Sequence, residues 1–189
     1  MRSRFLEQNE LKSLETVFDD EAFLPLIVSL ETGLRVGDVV GLRVSDVKAD
    51  GIHYTAQKTG KPGIAKISSK TRNKLPKKGK WLFPSPYKLG KHLTRQAVWA
   101  RIKTAGKRAG LDLDGLSPHS MRKVFAVELY RQKGFKAVQE ALQHKYSTTT
   151  EIYSFADWST GENANLPLTR KDLHLIVNMV LEACGIVKK

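Results

Sequence analysis

Six residues of the 189-residue chain are candidates for handling the charge of a phosphate group or transferring a proton. They are Arg35, Lys58, His119, Arg122, His144 and Tyr153. A guanidinium group offers paired, rigid N–H donors to an oxyanion, and an imidazole group exchanges a proton near neutral pH. A phenol becomes a nucleophile when a neighbouring group removes its proton. These residue types are therefore suited to nucleophilic substitution at phosphorus, provided that the fold brings them together.

Taken singly, each of these residues has a simpler interpretation. Asp38 follows Arg35 by three positions, and such a pair on a helix surface is usually a solvated ion pair. A lysine in a turn usually serves solubility, and a histidine and an arginine three positions apart are more often exposed or capping residues. A tyrosine at helical spacing among apolar residues is more often part of a core. Only the combination can support a functional conclusion.

The elements that must position these residues are predicted from hydrophobic periodicity. Apolar residues at helical spacing predict helices over residues 5–18, 19–32, 36–42, 93–109, 118–132, 135–143, 147–155 and 169–183. Two short strands are predicted at 52–57 and 64–67, with a third at 81–83, and a small helix is predicted within the basic stretch 70–90. The predicted fold class is α+β, mostly α-helical, with a small antiparallel three-stranded sheet.

This arrangement places the candidate residues at the ends of elements. Arg35 follows Gly33, which should end the second helix, and Asp38 should face the same side and hold the Arg35 guanidinium. Lys58 lies at the tip of the hairpin between the first two predicted strands. His119 and Arg122 project from one face at the start of a helix, for which Ser117 is the predicted cap. His144 should end one helix and Tyr153 should lie on the next.

Composition limits the partner and the compartment. Lys and Arg number 32 against 19 Asp and Glu, which gives a net charge of +13. This excess should steer a polyanion toward the protein, and nucleic acid is the commonest such partner. The single cysteine, Cys184, excludes an internal disulfide framework and a Cys-rich metal site. No apolar run is long enough to span a bilayer and no secretory signal opens the chain, so we predict a cytoplasmic protein without a membrane partner.

Five short strings in a fixed order connect the candidate residues to a known family. They are Glu31-Thr-Gly-Leu-Arg-Val-Gly-Asp38, Gln57-Lys-Thr-Gly-Lys61, Pro118-His-Ser-Met-Arg-Lys123, Ala141-Leu-Gln-His144 and Glu151-Ile-Tyr153. Together they resemble the catalytic domain of the tyrosine recombinases, the family of phage and mobile-element integrases. The resemblance runs from about Phe5 to Phe155. It implies DNA cleavage and rejoining through a 3′-phosphotyrosine intermediate, in the integration or excision of a phage or mobile element.

The resemblance also implies a role for each candidate. Tyr153 is the nucleophile, and Arg35 and Arg122 hold the non-bridging phosphate oxygens, which become more negative during the attack. His119 can accept the phenol proton, because the phenol has an ordinary pKa of about 10 and must lose that proton near neutral pH.

The remaining roles follow in the same way. The resemblance assigns protonation of the leaving 5′ oxygen to Lys58 and a hydrogen bond to the phosphate to His144. Asp38 then orients the groups around Arg35. Because the phosphotyrosine stores the energy of the broken phosphodiester, no cofactor, metal or ATP is expected. Basic residues near these strings are expected to contact the DNA backbone; they are Lys61, Lys66, Lys70, Arg72, Arg95, Arg101 and Lys103.

The predicted domain organisation is a single catalytic domain over residues 1–189, without the core-binding domain that precedes it in relatives. The tail helix over 166–189 can pack on its own domain or be exchanged between protomers. The expected partner is a double-stranded DNA attachment site. A tetramer is expected on DNA and a monomer in isolation, and accessory DNA-bending proteins are further candidate partners. A bacterial, phage or mobile-element origin is expected.

Two other functions remain open at this point. A type IB topoisomerase uses the same chemistry to relax DNA, but that group generally has lysine at the position of His119. A non-catalytic DNA-binding protein on the same scaffold would be marked by loss of an arginine of the pair or of the tyrosine, and Arg35, Arg122 and Tyr153 are all present.

Overall fold

The computed structural model describes residues 3–18 and 21–142. The predictions for His144 and Tyr153, for the helices over 147–155 and 169–183, and for the tail over 166–189 lie outside the described residues. The chain divides into two compact units, Met1–Ala126 and Val127–Lys189. The single catalytic domain over 1–189 stays a prediction.

The first unit begins with an extended segment that is bonded to later parts of the chain. The Ser3 hydroxyl lies 2.9 Å from that of Ser117 and 3.2 Å from that of Ser120, and Lys123 donates a hydrogen bond to the Ser3 carbonyl oxygen. Arg4 forms an ion pair with Glu10 at 2.8 Å. The first-turn region of a later helix is thus tied to the beginning of the described chain.

Three helices follow this segment. Helix α1 spans Gln8–Val17, a 3-10 turn spans Glu21–Phe23, helix α2 spans Leu24–Thr32 and helix α3 spans Val36–Val40. Gly33 ends α2 with a φ of 67°, a left-handed conformation that a residue without a Cβ adopts at little cost. The predicted end of the second helix at Gly33 is confirmed.

The sheet is antiparallel and three-stranded, with the order β1 (Val47–Lys48), β2 (Gly51–Thr55) and β3 (Pro62–Ala65). Val47 pairs with Ile52 across the first pair of strands. The predicted third strand at 81–83 is wrong, because that segment makes only an isolated bridge, between Trp81 and Arg43. The actual third strand, β1, has only two residues. It is too short to show the alternation of apolar and polar residues on which strand prediction depends.

Helices α4 (Ser69–Lys74) and α5 (Arg95–Arg108) follow the sheet. Ser68 caps α4 by accepting a hydrogen bond from the backbone N–H of Thr71 at 3.1 Å, and the Thr94 hydroxyl caps α5 in the same way. At the start of α4, the Glu31 carboxylate accepts hydrogen bonds from the Ser68 hydroxyl at 2.8 Å and from the Thr71 hydroxyl at 2.7 Å. A single carboxylate on α2 thereby holds the start of α4.

Helix α6 spans Pro118–Leu142 and is interrupted at Gly134, where φ is 75° and ψ is −178°. The break separates the two helices that were predicted over 118–132 and 135–143. The predicted side-chain cap at Ser117 is not formed, because in the part of the chain that the structure describes the Ser117 hydroxyl accepts no backbone N–H of α6. The Ser120 N–H donates instead to the backbone carbonyl oxygen of Ser117 at 2.9 Å. In the second unit, Arg131 pairs with Glu128 at 3.1 Å. Among the described residues, no helix is both long and apolar enough to span a bilayer.

The core of the first unit collects apolar side chains from α1, α2, α3, α5 and the start of α6, and from β2. The largest fully buried ones include Leu14, Leu26, Ile52, Leu82, Ile102, Leu116 and Met121. Burial of each such side chain contributes about 1.5–3 kcal/mol to folding. The predicted fold class, mostly helical with a small antiparallel sheet, is confirmed. Met121 is fully buried between the exposed His119 and the buried Arg122, so packing fixes how the first turns of α6 face the rest of the unit.

Gly106 offers a test of how closely α5 packs. A Cβ added at this buried glycine would overlap the side chain of Leu116 and lie 2.9 Å from Leu113 Cδ2. We expect Gly106→Ala to lower the free energy of unfolding by about 1–3 kcal/mol because the core would be overpacked. Urea unfolding measures the change, with Thr104→Ala on the exposed face of the same helix as control. Equal stability of Gly106→Ala and the native protein would contradict the packing described.

The Arg4–Glu10 pair predicts a pH dependence. Burial raises the pKa of Glu10, but hydrogen bonds from Arg4 and from the Glu7 backbone N–H outweigh it and hold the pKa below its ordinary value. A carboxyl whose pKa is lowered by folding stabilises the protein above its unfolded pKa, and this stability is lost as pH falls through the folded pKa. Glu10→Gln should therefore cost more at pH 7 than at about pH 3.

Urea unfolding at both pH values measures the effect of Glu10→Gln. Glu15→Gln, on an exposed position of α1, is the matched control. A loss of stability from Glu10→Gln that is equal at the two pH values would show that the ion pair is not its source.

Candidate active site

The turn between α2 and α3 presents Arg35. Gly33 reverses the chain, Leu34 is buried, and Arg35 lies in extended backbone, with φ −65° and ψ 144°, directly before the first turn of α3. The side chain of Leu34 anchors the turn in the core. Arg35 is left at its outer side, half-buried.

Arg122 reaches the same turn from α6. Its side chain is only 4% exposed, and its Nη1 donates a hydrogen bond to the carbonyl oxygen of Gly33. A buried charge is tolerated where hydrogen bonds replace its hydration. The contact brings a guanidinium group from α6 to the backbone that carries Arg35, so two cations that are far apart in sequence meet at one place.

These residues line an open cavity of about 480 Å³. Its walls come from the turn before α3, from α3, from the hairpin turn between β2 and β3, and from the starts of α5 and α6. The lining residues are Leu34, Arg35, Val36, Gly37, Asp38, Gln57, Lys58, Arg95, Pro118, His119 and Arg122. Four of the six residues first singled out from the sequence thus share one cavity. The other two, His144 and Tyr153, are among the residues that the structure does not describe.

Asp38 does not hold Arg35 as predicted. In the described part of the chain its carboxylate makes no ion pair with Arg35, and Oδ1 accepts instead from the backbone N–H of Gln57 at 2.9 Å. The reason is that Arg35 precedes the helix in extended backbone, so the helical spacing of three positions does not bring the two side chains together. Asp38, which is buried, anchors the hairpin turn that carries Lys58.

Gln57 is a site residue that the sequence did not single out, and Tyr54 lies near the site without lining the cavity. Gln57 lines the cavity, and its side-chain amide donates to the Gly37 carbonyl oxygen at 2.9 Å. The pKa of Tyr54 is raised above its ordinary value, chiefly by burial. The positive charges of Arg122 and Arg35 lower this pKa, and the negative charge of Asp38 raises it. Tyr54 is therefore close enough to sense both guanidinium groups. The one sequence feature that could have pointed to Gln57 is its position directly before Lys58 in the string Gln57-Lys-Thr-Gly-Lys61.

The predicted DNA-contacting residues fall into two groups. Lys61, Lys70 and Arg95 are exposed, and Arg95 lines the cavity. The other four bond main-chain oxygens of their own unit; they are Lys66 to Asp50, Arg72 to Lys48, Arg101 to Ala22 and Lys103 to Leu113. Roles in DNA binding stay predictions for all seven.

The cavity is suited to an anion with several oxygens. Arg35, Lys58, Arg95 and Arg122 are basic, and the carboxylate of Asp38 is already engaged with the hairpin turn. Paired guanidinium groups stabilise the oxygens of a phosphate most strongly where negative charge grows. Within residues 3–18 and 21–142, no group of three or more His, Cys, Asp or Glu side chains is arranged to hold a metal ion.

Comparison with known proteins identifies the relatives of this chain. The model of the phage integrase family matches residues 4–158. Tyrosine recombinase XerD of Yersinia pestis is 33% identical over 150 residues, which cover 71% of this chain and 49% of that protein. The chain thus spans about half the length of the curated relatives it matches.

Solved structures agree in fold. The crystal structure of XerA recombinase has a TM-score of 0.66 at 22% identity, covering 95% of this chain and 66% of that one. A lambda integrase tetramer bound to a Holliday junction has a TM-score of 0.64 at 23% identity, covering 81% of this chain and 48% of that one. The resemblance found in the sequence is confirmed, and the chain belongs to the phage integrase family.

Proposed function

We propose that this chain is the catalytic domain of a site-specific DNA recombinase, which cuts and rejoins DNA strands through a 3′-phosphotyrosine at Tyr153. The observation that supports it most is the hydrogen bond from Arg122 to the Gly33 carbonyl oxygen. This contact places two guanidinium groups beside one cavity, which His119 and Lys58 also line.

The arginine pair would bind the phosphate to be attacked. During the displacement, negative charge grows on the non-bridging oxygens, and donors already in position stabilise that charge without reorganising. Arg122 is fixed by burial and by its bond to the turn, while Arg35 is half-exposed and is free of any ion pair with Asp38. The Arg35 guanidinium group therefore has charge available for the substrate.

Two proton transfers complete the reaction. His119 is exposed at the start of α6, where it can take the proton of the attacking phenol. The ammonium group of Lys58, on the hairpin turn, can give a proton to the leaving 5′ oxygen. His144 would donate a hydrogen bond to the phosphate. The roles of His144 and Tyr153 rest on their sequence strings and on family membership. Because the phosphotyrosine would keep the energy of the broken phosphodiester bond, the proposed reaction needs no metal or nucleotide cofactor.

The proposed partner is double-stranded DNA carrying an attachment site. The net charge of +13 favours a polyanion, and a related integrase was solved as a tetramer on a Holliday junction. We propose a tetramer on DNA and a monomer in isolation, with the 166–189 tail either packed on its own domain or exchanged between protomers. A cytoplasmic protein of bacterial, phage or mobile-element origin, assisted by DNA-bending proteins, fits this role.

The nucleophile can be tested with nicked suicide duplexes that carry candidate attachment sites from the DNA flanking the coding sequence. The native chain should form a covalent adduct that survives denaturing electrophoresis, because loss of the short strand beyond the nick prevents religation. Tyr153→Phe should bind the same duplex and form no adduct. Equal adduct from both proteins would exclude Tyr153 as the nucleophile.

The proposed phosphate clamp, formed by Arg35 and Arg122, predicts a different defect for Arg122→Ala. Removing one donor of the phosphate clamp should slow adduct formation about 10²–10³-fold, with DNA affinity in a gel-shift assay reduced far less. Arg131→Ala is the matched control, because Arg131 is on the same helix and pairs with Glu128. If the Arg122 and Arg131 variants formed adduct at the same rate, the clamp would be wrong.

A further inference from the structure

We infer that Gln57 is a positioning residue, which holds the hairpin turn against α3 so that the Lys58 ammonium group reaches the leaving oxygen. This inference rests on the proposed function. The Gln57 side chain would neither contact the substrate nor transfer a proton.

Two hydrogen bonds join Gln57 to α3. Its backbone N–H donates to Asp38 Oδ1 at 2.9 Å, and its side-chain Nε2 donates to the Gly37 carbonyl oxygen at 2.9 Å. One contact fixes the main chain directly before Lys58, and the other fixes the side chain of the same residue. Both acceptors belong to the helix that begins directly after Arg35. The pair of bonds therefore relates the position of Lys58 to that of Arg35.

Gly37 on α3 and Gly41, the residue that caps the end of α3, make room for the Gln57 amide. A Cβ at Gly37 would lie 3.4 Å from Gln57 Oε1, and a Cβ at Gly41 would lie 3.2 Å from Gln57 Nε2. Because these glycines are four positions apart, they lie above one another on one face of the helix. The amide thus lies directly on the helix backbone, in a place where a side chain at Gly41 would push it away by a few tenths of an ångström.

The turn itself is closed by its own backbone. Ala56 donates to the Lys61 carbonyl oxygen at 2.9 Å, and Gly60 donates to that of Ala56 at 2.8 Å. Ala56 is buried, whereas Lys58 is exposed. A turn that is closed in this way moves as a unit, so an attachment at Gln57 sets the position of the whole segment. Lys58 adjoins this attachment directly.

The step that depends on this position is the departure of the 5′ oxygen. The attacking phenolate forms a bond to phosphorus, the bond from phosphorus to the 5′ oxygen breaks, and its electron pair stays on that oxygen. The Lys58 ammonium group supplies the proton and becomes a neutral amine. Misplacing a reacting group by about 1 Å can cost about 10²-fold in rate, so a loosened turn should slow this step.

The experiment uses the full chain and two nicked suicide duplexes that differ in one atom. One has the natural 5′ oxygen at the scissile bond, and the other has sulfur there. A thiolate leaves without a proton because a thiol has a pKa of only about 8.5. Lys58→Ala should be slowed about 10²–10⁴-fold on the oxygen duplex and be restored on the sulfur duplex.

Gln57→Met keeps the length of the side chain and removes its donor. We expect it to be slowed about tenfold or more on the oxygen duplex and to match the native chain on the sulfur duplex. Gly41→Ala should be slowed in the same direction but less, and the double variant should be no slower than Gln57→Met alone, because both changes act on one contact. Gln57 is exposed, so urea unfolding should show all three variants folded.

His53→Ala is the control on the same hairpin, since His53 bonds Asp50 at the opposite end of β2. It should match the native chain on both duplexes. If Gln57→Met reacts like the native chain on the oxygen duplex, or is slowed equally on both duplexes, the positioning role is overturned. Absence of adduct from the native chain on both duplexes would overturn the proposed function, and this inference with it.

Discussion

The cavity depends on one buried hydrogen bond. Arg122 and Gly33 are 89 positions apart, and the guanidinium Nη1 of one donates to the carbonyl oxygen of the other. Burying a cation is costly unless hydrogen bonds replace part of its hydration, and this bond is one that does so for Arg122. With it, the start of α6 and the turn after α2 become parts of one site. The other residues of the cavity are arranged around that junction.

The second constraint is that four basic residues and one carboxylate line a single small cavity. Asp38 is the acidic residue of the lining, and its oxygen is occupied by the Gln57 N–H. Like charges at short range repel, and an anion that enters the cavity relieves this repulsion. The cavity therefore carries an excess of positive charge that favours a bound phosphate.

Much of the fold and the site could be predicted because the signals were local. Gly33, Pro118 and the apolar spacing along α5 each mark an element with a short-range physical cause. The meeting of Arg35 with Arg122 was not derivable from spacing and came from family resemblance. The third strand was placed at 81–83, whereas Val47 and Lys48 form it, since two residues carry no periodicity.

The partner of Asp38 was missed for a related reason. A spacing of three positions predicts contact only when both residues are helical, and Arg35 is not. The true partner, Gln57, is 19 positions away and offers a backbone N–H, a group that every residue except proline has. Nothing in the side-chain sequence marks such a donor, so contacts of this kind become visible only when the chain path is known.

Gly33 shows how conformation and chemistry can constrain the same position. Its left-handed backbone is accessible to glycine at little cost, and its carbonyl oxygen holds Arg122. The residue has no side chain and supplies no reacting group. A substitution at Gly33 would nevertheless strain this turn by about 1–2 kcal/mol and so disturb the carbonyl oxygen that holds Arg122. In a survey of inherited variation, this glycine would rank with the arginines, although it would never touch the substrate.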